Sequence, residues 1–176
     1  AEVRQGMTEQ DAGALTNTVH ALYSMRWHRG VHNLIYDMWS LDEGKYPELA
    51  WELLQKPPVR IALASTINRI QVVDTREYLE YIRAQKNDEH EFNRAQVVVA
   101  LGLNGDPEDV TYLEEMADGN NRYVAQSAIT SLALMNNISE RDALIKLRSK
   151  YENDPRGQLI NEMLKQAYDW PQKEAI

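Results

Sequence analysis

The chain has 176 residues, 43% of them hydrophobic and 26% charged, and its 27 acidic and 19 basic side chains leave a formal net charge of -8. That length and composition supply one continuous core without disulfides or a structural metal, and they exclude intrinsic disorder. The absence of cysteine excludes disulfides, thiol catalysis, iron–sulfur clusters and cysteine-ligated zinc, while the acidic balance disfavours nucleic acid and anionic lipid as partners.

Helical periodicity begins near the N-terminus and strand patterns are nearly absent. Ala12, Leu15, Val19 and Leu22 recur at spacings of three and four, which places them on one helical stripe, with Thr8 as the expected cap. Gly30 interrupts, and Val31, Leu34, Ile35 and Met38 form a second stripe. Leu49, Ala50, Leu53 and Leu54 form a short third one, ended by Pro57-Pro58 because the residue before a proline is pushed out of helical geometry. No apolar run is long enough to span a bilayer. The opening Ala1-Glu2-Val3 resembles a mature chain after signal-peptide cleavage, whereas Met7-Thr8-Glu9 suits a trimmed start, so the compartment stays open between periplasmic or secreted and cytoplasmic.

From Pro57 the pattern repeats. The apolar run Val59 to Ile67 is followed by Asp74-Thr75-Arg76-Glu77, a capping-box-like start to a helix through Tyr78, Leu79 and Ile82. Asn93 to Gly102 leads into Gly105-Asp106-Pro107-Glu108-Asp109 and then Val110, Leu113 and Met116, with Asp106 as N-cap and Pro107 at the first helical position. A third unit runs from Tyr123 through Ala128 and Leu132, turns at Asn136-Asn137, and restarts at Ser139 with Asp142 three residues on. A last half-unit opens at Asp154-Pro155, continues through Leu159, Ile160, Met163, Leu164 and Ala167, and closes at Trp170-Pro171. One helix pair cannot bury its own apolar stripe, so such units exclude water by stacking, and Ala62, Ala100 and Ala128 allow close approach.

Gly105-Asp106-Pro107-Glu108-Asp109-Val110, Leu113, Val124, Ala128 and Leu132 resemble the turn and helices of HEAT repeats, specifically the short form called PBS-lyase HEAT-like. The resemblance covers about residues 57–168, is strongest from Arg94 to Leu134, and departs from the family at Ala125, where an arginine is usual. It implies an all-α fold, an α-α superhelix of HEAT-like solenoid type with an N-terminal helical cap. Residues 1–56 are expected to form the capping helices, and residues 57–176 the repeats, in one continuous domain. Trp27, Trp39, Trp51, Tyr23, Tyr36 and Tyr46 then pack the cap, the alternative being an exposed binding patch.

The resemblance also bears on function. Its second helices are expected to line a concave surface, and Arg76, Glu80, Arg83, Thr111, Tyr112 and Glu115 fall opposite the stripes Leu79/Ile82 and Val110/Leu113. They are the candidate contacts of a non-enzymatic scaffold or adaptor that binds a protein or peptide, with no cofactor, no nucleic acid and no membrane span; the oligomeric state is open. The alternative is a metal-dependent enzyme, because the deoxyhypusine hydroxylases of this repeat type bind iron through repeated His-Glu pairs. Here His90-Glu91 is a single such dipeptide, and no metal site is expected from it or from the i, i+4 pair His28 and His32. Alkylpurine DNA glycosylases share the repeat type but grip DNA with a basic face, and phycobilin lyases share only the scaffold.

Overall fold

The structure is a computed structural model, and it describes residues 2–25, 28–70, 74–135 and 137–168. Among them are ten α-helices and no strand: α1 (Glu2–Ser24), α2 (Arg29–Ser40), α3 (Glu48–Leu54), α4 (Pro57–Ile70), α5 (Arg76–Ala84), α6 (Glu91–Asn104), α7 (Val110–Asp118), α8 (Arg122–Met135), α9 (Ile138–Lys150) and α10 (Pro155–Tyr168). The expected all-α class is what the chain adopts. Trp27, Asn136 and Trp170-Pro171 lie outside the described residues, as do the side chains of residues 1–9. The helices fall into two compact units, Ala1–Asn87 and Asp88–Ile176.

In the first unit α4 is the hub, in contact with α1, α2, α3 and α5. A helix surrounded in this way must be apolar on nearly every face. Pro58, Val59, Ile61, Ala62, Leu63, Ala64 and Ile67 are buried accordingly, and Ser65, Thr66 and Asn68 are buried with them. Thr66 satisfies its hydroxyl by donating to the carbonyl of Ala62 at 2.8 Å, as Thr16 does to Ala12 in α1. Pro57 and Pro58 do more than stop α3: they are the first two residues of α4, where a missing N–H costs nothing.

In the second unit the helices alternate between two rows. α6, α8 and α10 are first helices in successive contact, while α7 and α9 pack on them and on each other. This is the stacking of pairs expected of a HEAT-like array. Leu101, Leu113, Ile129, Leu132, Leu144 and Ile160 are fully buried between the rows, each contributing about 1.5–3 kcal/mol of hydrophobic stabilisation. Gly102 sets the separation of α6 and α8, since a Cβ there would lie 2.8 Å from the Cα of Ser131.

Three helix starts differ from expectation. α1 begins at Glu2, so Thr8 lies within the helix and not at its start. α9 starts at Ile138 with Asn137 as N-cap, so Ser139 lies inside the helix, and the position three beyond the cap is Glu140. Asp106 does cap, accepting from the Glu108 N–H at 3.0 Å, but the turn that follows, Pro107–Asp109, is a 3-10 turn before α7 proper.

Candidate functional site

In the first unit α5 presents the candidate residues Arg76, Glu80 and Arg83. Its buried side is Tyr78 and Ile82, with Leu79 half-buried, so a spacing of three and four leaves Arg76 and Glu80 on the opposite, exposed side and Arg83 half-buried. The helix start is held by an exposed Asp74, whose carboxylate accepts from the Arg76 backbone N–H at 3.1 Å and from its guanidinium Nε at 3.0 Å. Those bonds, with the Arg76 side chain the larger cause and its backbone N–H next, lower the Asp74 carboxyl to about 2. They hold Arg76 along the helix start while Glu80 adds a second favourable charge. The Asp74–Thr75–Arg76–Glu77 start thus works through a turn of two residues, and Glu77, the expected capping-box partner, stays exposed. Arg83 sits in the last turn, where a cation suits the partial negative charge of the helix end.

In the second unit α7 carries Thr111, Tyr112 and Glu115. Leu113 and Ala117 form its buried side and Val110 is half-buried, so Thr111 and Glu115 project outward, one turn apart. Tyr112 is half-buried. Burial pushes its phenol up to about 12, helped by the charges of Asp109 and Glu115 and opposed by Arg94 of α6. It therefore stays neutral through the physiological range and remains both donor and acceptor. The three candidates of α5 and the three of α7 belong to different compact units, and each set is brought together by its own helix.

The side chains considered for metal chemistry are placed differently. His90 is exposed and is the N-cap of α6, its backbone N–H donated to the Asp88 carboxylate at 2.8 Å. Glu91 is the first residue of α6, and one of its oxygens accepts from the Asn121 side-chain amide. His28 is exposed in the extended N-cap position of α2, while Nε2 of His32 is buried without a hydrogen-bond partner. Among the described residues no three histidines, aspartates or glutamates gather as a metal site would require.

Sequence reasoning missed a cluster in the first unit. Arg60, in the apolar run of α4, donates to the carbonyl of Trp39 and lies 3.8 Å over its ring and 5.8 Å from that of Tyr81. Trp39 in turn meets Tyr78 and Tyr81 edge-on at 4.9 and 5.3 Å. A lone arginine inside an apolar run was the available signal, since a buried cation needs partners. Ala125, at the position where an arginine is usual, is fully buried. A guanidinium reaches the α7–α8 turn from α10, where Arg156 donates to the Gly119 carbonyl at 3.1 Å and stacks 3.7 Å from Tyr151.

The family model of HEAT repeats matches residues 46–133, half of the chain. No curated protein and no solved structure matches it.

Proposed function

The chain belongs to the HEAT-repeat family, and from that premise we propose that it is a non-enzymatic scaffold or adaptor that binds a protein or peptide through the outward side of α5 in the first unit and, separately, through that of α7 in the second. HEAT repeats are in general protein-interaction scaffolds, and the reading gives that general role to named residues. The observation that carries it is the sidedness of the two second helices: each commits its apolar side to the core and leaves a polar side in solvent, Arg76 and Glu80 on α5 and Thr111 and Glu115 on α7, with Arg83 and Tyr112 half-buried beside them. Mixed charge and one neutral phenol suit recognition of a polar polypeptide surface, where charge sets register and a partly buried tyrosine supplies contact area. The net charge of -8 points away from nucleic acid, and no helix among the described residues is long and apolar enough to cross a membrane.

The test is a comparison of partners recovered from the native source by the parent chain and by a variant carrying Arg83→Glu and Tyr112→Ala, each shown by circular dichroism to be folded. The reading expects at least one partner to be lost from the variant. Recovery of the same partners in the same amounts sinks it.

A further inference from the structure

α1 docks through a stripe on which Ala12, Thr16 and Val19 are buried, and it packs against α4, α2 and α3 of the first unit. His20 and Tyr23 continue that stripe, one turn beyond Thr16 and Val19, and both are half-buried. Thr16 brings no unsatisfied donor into the interface, because its hydroxyl bonds the Ala12 carbonyl. His20 differs. Among the described residues its imidazole has neither a hydrogen-bond nor an ion-pair partner. A proton gained there puts an uncompensated charge on the docking side of the helix.

The neighbouring elements supply nothing to offset that charge. On α4, Arg69 lies 4.8 Å from the Tyr23 ring and Arg60 lies over Trp39, and both are cations. On α3 the carboxylates are those of Glu48 and Glu52, both exposed. On α2, Asp37 is paired with Lys45, Arg29 and Tyr36 are exposed, and Nε2 of His32 is buried without a partner. Asp11 of α1 itself precedes His20 by more than two turns. Burial alone therefore lowers His20 below its ordinary 6.5, with no charged group among the causes.

A released α1 takes up the proton more readily than a docked one. Docking is at full strength above about 6.5 and weakens as the pH falls below that value. The helix that α1 covers is the apolar hub of its unit, with Val59, Leu63 and Ile67 among its buried residues.

We infer that His20 is a pH-sensitive latch: in mildly acidic solution its protonation favours release of α1 from α4 and uncovers part of that apolar helix. The device uses none of the outward residues of α5 and α7 and stands or falls separately from them.

Hydrogen exchange of the full chain, corrected for the intrinsic pH dependence of amide exchange, is compared at about pH 7.5 and 5.5 for the parent, His20→Gln and His20→Phe. Acidification is expected to cost the parent roughly three- to tenfold of its protection in α1, since one proton moves an equilibrium by at most about tenfold per pH unit. Protection in α5 and in the second unit changes less. Each variant that circular dichroism shows to be folded holds its α1 protection within about twofold across the same interval. In the parent, the His20 ring resonances titrate with a midpoint below 6.5, a reading that needs no variant to fold. The inference is overturned by a midpoint at or above 6.5, or by α1 amides without protection at pH 7.5. It is overturned equally by an α5 that loses as much as α1, which means that the whole unit gives way. A pH dependence that survives in the folded His20 variants, or that His32→Gln abolishes instead, also overturns it.

Discussion

Gly102 is buried in α6 at the point where α8 passes closest. A methyl group there meets the Cα, Cβ and Oγ of Ser131, and two of those atoms cannot be moved without moving the helix. Gly102→Ala should therefore lower the denaturation midpoint by the equivalent of about 1–3 kcal/mol, against the gain that alanine brings to an ordinary helix position; an unchanged or raised midpoint in urea contradicts the close approach. Asp74 offers a second test. Its carboxyl is lowered from 3.8 to about 2 by Arg76, so the stability it supplies is present above its unfolded value and is lost as pH falls through about 2. Carboxyl resonances followed by pH should give Asp74 a midpoint near 2, and Arg76→Ala should raise it toward the ordinary value; a midpoint indifferent to that change removes the bond. Such details are hard to read from sequence. Glu140 shows why: it falls on the same stripe as the buried Ala143, Leu144 and Leu147 and is itself fully buried, with neither oxygen hydrogen-bonded. Spacing identifies that stripe, but the polarity of a glutamate argues for the opposite face.

Among the elements, α4 has the largest share of buried residues because four helices of its unit lie against it. Leu63, fully buried in its middle, is the position where truncation should be felt most: Leu63→Ala is expected to cost about 2–5 kcal/mol, read as a drop in the thermal or urea midpoint of the first unit's tryptophan signal. A loss under about 1 kcal/mol means that α4 is not the packed centre described. The helices themselves were legible wherever apolar spacing was supported by a terminator. Pro57-Pro58, Gly105 and Asp154-Pro155 each mark a real boundary, and Gly105 adopts the left-handed conformation, φ 72°, that ends α6. The starts expected at Thr8 and Ser139 were misplaced, since α1 begins at Glu2 and α9 at Ile138, because more than one residue near each could serve as a cap. In the α9–α10 region the fastening is polar: Tyr151 donates to the Asp118 carboxylate at 2.7 Å, Lys150 pairs with the same group, and Arg156 bonds Gly119. No periodicity announces such links, which span more than thirty residues.

For the whole molecule, the recurrence of similar helix-pair units at a period of about 31 to 34 residues was enough to indicate stacked helix pairs, and the family match over residues 46–133 agrees. Function was less legible, because a solenoid binds through side chains whose identity its fold does not constrain. Arg76, Glu80, Thr111 and Glu115 are exposed where the pattern put them, yet any solvated helix side would read alike. The direct measurement is photo-cross-linking in the native source, with the reactive side chain placed in turn at Glu80, at Glu115 and at the exposed control position Ser149. The account predicts a discrete protein adduct from Glu80 and from Glu115 that the Ser149 position does not give. The contradictory result is no adduct from either helix, or the same adducts from all three positions.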